Sequence, residues 1–357
     1  MVMSILSKEN ELYASVVQVV SRFDDHAIYR MADGSDGTMT TYEVFPGVEL
    51  IYNDFHTEEC FQGPRCYRDV MEINHCRQGR FECDFPDGSC VYLEEGDLSV
   101  NMIGNRALRS SFPLEHYHGI SVVIELEQAA CSLSGVLNDI SIDLYALRDR
   151  LCGCDRCFIM RATESVEHIF SELYRVPDQI RKGYYKLKIL ELLLFLSAVD
   201  GTAHMEQKQY FPRSQVDVIK AVKEYIIENL ERHITLEELS QRFNIPLTAL
   251  KLCFKGVYGT TIYSYLRTYR MQDAAVLLSR TKMSIAQVAG QVGYLNSSKF
   301  ASAFKAVMGI SPLEYRRGNQ RITEEPSGMV GVGSRSLTGR IMMKNISSDW
   351  SQTNPVE

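Results

Sequence analysis

The spacing of apolar residues divides this 357-residue chain into stretches of different period. Residues 8–23 carry an amphipathic helical spacing, and 30–41, with the run MADGSDGTMT, read as a polar, glycine-rich arm. From about residue 42 the period shifts toward two. Phe81, Cys83 and Phe85 alternate with Arg80, Glu82 and Asp84, and Pro86-Asp87-Gly88 turns the chain. Val91 and Leu93 alternate with Cys90, Tyr92 and Glu94; Leu98, Val100 and Met102, then Ile120, Val122, Ile124 and Leu126, continue the pattern. Short strands between tight turns predict an antiparallel sandwich or barrel over 42–135. Helical spacing returns over 136–199, chiefly in 166–174 and 183–199. There Leu187, Leu190, Leu194 and Ala198 fall near heptad spacing. Such a stripe serves either to pack the helix on the sheet or to pair it with a second subunit, and its width favours pairing, hence a homodimer.

Residues 200–213 are polar and aperiodic and read as a linker. Beyond them one helical pattern occurs twice. In the second copy Ile285, Val288, Ala289 and Val292 share a helix face, Gly293 stops it, and Asn296 or Ser297 caps a helix with Phe300, Ala303, Phe304 and Val307 on one side. In the first copy Leu236, Leu239 and Phe243 lead to a turn at Asn244. Pro246 then opens a helix carrying Leu250, Cys253, Phe254 and Val257. Residues 261–279 between the copies read as one uninterrupted helix. Residues 214–317 are thus an all-α domain of two helix-turn-helix motifs joined by a linking helix. After it, 318–357 is poor in core-forming residues and rich in Gly and Ser, the composition of a disordered tail.

These features together resemble the DNA-binding domain of the AraC/XylS family of transcription regulators. They are the paired motifs, the linking helix with Arg270, Ala274 and Leu277, the Gly293-Tyr294 turn, and the ending Gly309 to Pro312 followed by Tyr315-Arg316. The resemblance implies double-stranded DNA as partner, with RNA polymerase as a further one. It implies base-facing positions at Thr248, Lys251 and Leu252 in the first motif and at Ser297, Ser298, Lys299 and Ser302 in the second. Lys255 and Lys305, at matched positions, are phosphate contacts in this reading. Many members carry arginine where this chain has Leu252 and Ser302, so specificity leans on the lysines, the hydroxyls and DNA shape. The 42–135 stretch resembles the cupin-like, effector-binding barrel at the front of many members. EINHCRQGRFE at 72–82 is similar to the family's siderophore-responsive branch.

The net charge of −7 hides a division that fits this layout. Residues 1–213 hold 20 Lys and Arg against 33 Asp and Glu, whereas 214–317 hold 14 against 8. An acidic front joined to a basic back suits a sensor attached to a nucleic-acid binder. No export signal opens the sequence and no apolar run is long enough to span a bilayer. Ten cysteines are then expected to be reduced thiols in a cytoplasm.

Three groupings in the front half carry candidate chemistry. Arg77 and Arg80, with His75, surround a turn at the mouth of the expected barrel, and with His116 and His118 they are the candidate contacts for a small polar or amphipathic effector. His116 and His118 alone would suit a cupin-type metalloenzyme, but no third ligand follows at suitable spacing. Cys152, Cys154 and Cys157 leave a thiol or metal sensor as another reading, although no second pair lies nearby. No nucleophile–base pair, phosphate loop or carboxylate dyad stands out. The reading is a transcription regulator, an activator, with no cofactor, no resident metal and no enzymatic activity.

Overall fold

A computed structural model describes residues 17–32, 34–58, 69–85, 88–103, 109–153, 157–200 and 211–322. The chain divides into two compact units, Met1–Ser214 and Gln215–Glu357.

The front unit begins with β1 (Val17–Arg22), β2 (His26–Met31), β3 (Asp36–Phe45), β4 (Val48–His56), β5 (Val70–Gly79), β6 (Phe81–Asp84), β7 (Ser89–Leu93), β8 (Leu98–Met102), β9 (Arg109–Ser111) and β10 (Tyr117–Glu125). Helices α1 (Leu126–Ser132), α2 (Ser134–Asp139) and α3 (Leu144–Cys152) follow. Then come β11 (Phe158–Met160), α4 (Glu164–Leu173), α5 (Arg181–Ala198) and a short β12 (Phe211–Pro212). Eight strands form an antiparallel sheet in the order β1-β2-β3-β4-β10-β5-β8-β11, and four form a second, β12-β7-β6-β9.

Register places Val122 between Leu50 and Ile73. All three are buried, so an aliphatic row crosses the middle of the large sheet. This row faces α1–α5, whose Leu147, Phe170, Ile189 and Leu193 complete that core. Residues of the opposite parity, such as Ile51, Val123 and Tyr117, face the small sheet and meet Val91 and Leu93 there. Period-two alternation thus serves two cores at once.

Helix α5 turns Tyr185, Ile189, Leu192, Leu193 and Leu196 inward. Leu187 is 65% exposed and Leu194 48%, with Ala198 also exposed and Leu190 half-buried. Packing on the sheet therefore takes in Leu190 of the heptad stripe but leaves Leu187, Leu194 and Ala198 outward. Lys188 is buried on this helix between Glu172, at 2.9 Å, and Glu191, at 2.6 Å. The two carboxylates offset the cost of burying its charge.

Several boundaries differ from those expected. The helix expected over 8–23 gives way to strand β1 from Val17, while 8–16 lie outside the described residues. Val17, Val19 and Val20 are β-branched and favour the pleated surface over the helical spacing they also satisfy. The arm at 30–41 holds the end of β2 and much of β3. In β3 the buried residues Gly37, Met39, Thr41 and Val44 alternate behind threonines that read as polar. The helical region 136–199 contains β11, paired to β8. Of the linker, Phe211–Pro212 pairs with β7, and 201–210 lie outside the described residues.

Among its described residues the back unit is built of helices alone: α6 (Arg213–Glu228), α7 (Leu236–Arg242), α8 (Leu247–Tyr258), α9 (Ile262–Arg280), α10 (Ile285–Gln291), α11 (Ser297–Met308) and α12 (Pro312–Ile322). Helix α12 enters the expected tail; residues 323–357 are not among those described. Among the described residues no helix is long and apolar enough to cross a membrane.

Candidate nucleic-acid interface and effector site

The back unit builds the same motif twice. Thr235 caps α7, accepting from the Glu238 N–H at 3.1 Å, and Ser284 caps α10 in a reciprocal capping box with Gln287. Each first helix ends in a six-to-one turn: Ile245 N–H donates to the Ser240 carbonyl at 3.1 Å, and Tyr294 N–H to that of Ala289 at 2.8 Å. The left-handed residue is Asn244 (φ 48) in one copy and Gly293 (φ 78) in the other. From there the copies differ by one residue. Pro246 caps α8 two positions on, whereas Asn296 caps α11 three positions on, donated to by Ser298 N–H and Lys299 N–H at 2.9 and 3.0 Å. The additional residue, Leu295, is fully exposed, an apolar tip that the apolar periodicity does not reveal. Both second helices end at a left-handed glycine, Gly259 and Gly309, whose N–H groups reach Lys255 and Lys305 carbonyls.

Why glycine stands at 293 is visible in its surroundings. An added Cβ would lie 2.7 Å from an Arg270 nitrogen and 2.7 Å from the Leu230 carbonyl oxygen. Arg270, on the linking helix, donates to the Arg232 carbonyl at 2.7 Å. It thereby ties the second turn and α9 to the segment between α6 and α7.

Leu250, Cys253, Phe254 and Val257 bury one side of α8, and Phe300 and Phe304 one side of α11. Thr248, Lys251, Leu252 and Lys255 on α8, and Ser297, Ser298, Lys299, Ser302 and Lys305 on α11, are all exposed. Each set projects from one side of its helix. The Ser302 hydroxyl is committed to the Ser298 carbonyl at 3.0 Å, so it presents an acceptor outward rather than a free donor. Helix α9, 19 residues long, separates the motifs by roughly 28 Å at 1.5 Å per residue.

In the front unit Arg77, His116 and His118 come together, but not inside the two-sheet core. His118 lies on the helix-packed face of the large sheet, edge-on to Tyr174 with ring centres 5.5 Å apart. The Arg77 guanidinium stacks 4.1 Å over the same ring. His116 stacks on His56 with ring nitrogens 3.3 Å apart, and His56 pairs with Asp54 at 3.2 Å. Burial holds His118 below its ordinary range; burial and the neighbouring His56 push His116 down to about 4. Arg80 does not join them. It is buried and directed to Glu94, at 3.0 Å, and to the Tyr92 ring, because β6 turns toward the small sheet. His56 and Tyr174 escaped the sequence reading. Only strand register and the return of α4 bring them beside residues so distant in sequence.

Among the described residues no three His, Cys, Asp or Glu side chains are grouped to hold a metal. Cys154 is outside the described residues, and burial pushes the Cys152 thiol up to about 12, away from the reactive thiolate.

Two helix-turn-helix motifs of matched build, with polar outer faces and a rigid connecting helix, define a helix-turn-helix DNA-binding domain. A model described as a helix-turn-helix domain matches residues 239–318. The HTH-type transcriptional regulator YdiP of Escherichia coli is 34% identical over 163 residues, covering 43% of this chain and 52% of that protein. The HTH-type transcriptional activator RhaR of Mannheimia succiniciproducens is 24% identical over 151 residues, 42% of this chain and 54% of that one. The transposon Tn10 TetD protein of Escherichia coli is 30% identical over 122 residues, 34% of this chain and 88% of TetD. The chain belongs to the AraC/XylS family of transcription regulators. It spans about half the length of YdiP and RhaR.

Proposed function

We propose that the protein is a sequence-specific, double-stranded DNA-binding regulator of transcription, acting in the cytoplasm as a homodimer and governed by a small effector in the front unit. It activates, as RhaR's name states of that relative, with RNA polymerase as its further partner. It is not an enzyme in this reading. The paired exposed faces of α8 and α11 carry the conclusion. Separated by a helix close to the ~34 Å of one DNA turn, they suit successive major-groove segments on one side of the duplex. Thr248, Lys251, Leu252, Ser297, Ser298, Lys299 and Ser302 meet base edges, and Lys255 and Lys305 meet phosphates. Arg77, His116 and His118 are the effector contacts. The exposed Leu187–Leu194 stripe on α5 supports the dimer.

The test is DNA binding by full-length protein and by residues 213–322, measured across salt concentration. Affinity falls steeply as salt rises. Lys255→Ala and Lys305→Ala weaken all sequences alike, whereas Lys251→Ala and Lys299→Ala also change sequence preference. Folded protein with no salt-sensitive binding refutes the proposal.

A further inference from the structure

We infer that two exposed leucines on the DNA-facing elements, Leu252 on α8 and Leu295 at the entry to α11, read the 5-methyl groups of two thymines in the major groove, one for each motif. This rests on the regulator proposed above and gives its DNA site a chemical signature that the lysines and hydroxyls alone do not supply.

Leu252 is 53% exposed and Leu295 fully so. Leu252 lies on the side of α8 formed by Thr248, Lys251 and Lys255, opposite the buried Leu250 and Phe254. An aliphatic side chain is thus set among hydroxyl and ammonium groups on the face turned away from the core. Leu295 is held in place from both sides. Before it, Tyr294 is fixed by its N–H to the Ala289 carbonyl and by its ring, edge-on to Phe300 with centres 5.8 Å apart. After it, Asn296 caps α11 through the Ser298 and Lys299 N–H groups. Leu295 therefore stands next to Ser297, Ser298 and Lys299, at the helix end whose residues meet base edges in a helix-turn-helix. The first motif has no counterpart, since Pro246 follows Ile245 directly.

The edges of the bases leave one partner for such groups. In the major groove guanine shows two acceptors, adenine an acceptor and a donor, cytosine a donor, and thymine an acceptor beside a methyl group. A leucine set against any of the first three takes water from their polar atoms and returns no hydrogen bond, which is unfavourable. Against thymine it covers the methyl group, and both apolar surfaces leave water. Leucine selects thymine because it cannot pair with the others. The remaining exposed large apolar residues described in this unit, Tyr263, Ile310 and Leu313, lie on α9, beyond the end of α11 and on α12, on neither recognition helix.

The lysines and the leucines divide the work. Lys255 and Lys305 attract the phosphates at any sequence and set the register of the helices on the duplex. The leucines act only in contact, where the base beneath them either carries a methyl group or does not. Because Leu295 sits on a turn fixed by the Tyr294 and Asn296 bonds, little ordering remains to be done on binding. The 19-residue α9, roughly 28 Å long, sets the two contacts apart by about one turn of DNA, or ~10 base pairs.

Full-length protein is used to enrich its preferred duplex from a randomised oligonucleotide pool. Each thymine of that duplex is then replaced singly by deoxyuridine, which lacks only the 5-methyl group, and affinity is measured. The inference expects two thymines, about ten base pairs apart, at which methyl loss weakens binding about fourfold, the worth of one buried methyl group. Leu295→Ala should abolish the deoxyuridine effect at one of them and keep it at the other, and Leu252→Ala should do the reverse. Leu252→Arg, whose guanidinium pairs with guanine N7 and O6, should exchange thymine for guanine at the base read by α8 in a fresh enrichment. Both leucines are exposed, so the variants keep the fold, which circular dichroism checks. A preferred duplex in which no thymine responds to methyl loss, or a response that persists in both alanine variants, would overturn the inference. A response at one motif alone overturns it for the other leucine. A pool from which no sequence is enriched sinks the sequence-specific regulator itself, whereas enrichment without methyl dependence removes the leucine reading and leaves the regulator standing.

Discussion

Gly293 and the front-unit histidines show how single residues set limits on this protein. At Gly293, φ is +78° and a Cβ would strike Arg270 and the Leu230 carbonyl. A left-handed backbone costs a non-glycine residue roughly 1–2 kcal/mol, and the backbone oxygen cannot yield as a side chain can. Gly293→Ala should therefore destabilise the 213–322 fragment by at least about 2 kcal/mol, read in a denaturant titration, whereas Gly290→Ala, with open space around its Cβ, should not. For the histidines the sign follows from burial. His75 and His116 titrate near 4 in the fold against 6.5 unfolded, and His118 is also lowered. The unfolded chain thus binds more protons between those values. Their contribution to stability is full above about pH 6.5 and is lost as pH falls toward 4. Thermal unfolding of the front unit should shift to lower temperature across that window, and His116→Asn should flatten the slope. A melting temperature insensitive to pH there would show that the histidines are solvated.

Helix α5 differs by face. Its inward residues are fully buried against the sheet, and Leu187 and Leu194 on its outward side are exposed among the described residues. Replacing Leu187 and Leu194 with Ser should lower the dimer population in sedimentation while the circular dichroism spectrum stays unchanged, since both side chains are exposed in the single chain. An unchanged sedimentation coefficient would assign dimerisation elsewhere. Helical periodicity made the stripe legible, but only the fold showed that Leu187 and Leu194 lie off the sheet-packed face. The first strands were less legible. Val17 to Val20 satisfy a helical spacing and a strand propensity together, and pairing of β1 with β2 decided between them. The recognition helices were the most legible elements, because glycine stops, caps and an aromatic core face all agree there.

For the whole molecule, regulation requires the effector to discriminate between DNA-bound and free states. The coupling is then reciprocal, typically about 1–3 kcal/mol. Effector affinity should change by that factor when target DNA is added, and DNA affinity by the same factor when effector is added. Equal effector affinity with and without DNA would dispose of the switch. What the sequence by itself determined is the division into an acidic front of strands and helices and a basic pair of helix-turn-helix motifs. Period, caps and charge are local properties, written in residues a few positions apart. Only the tertiary structure decided which side chains share the front-unit site. It turned Arg80 away to Glu94, and it brought Tyr174 to Arg77 and His118 across 97 and 56 residues of chain. Parity along a strand says that two side chains share a face, but not which core that face meets. That depends on sheet closure and on the return of α4, which no local pattern records.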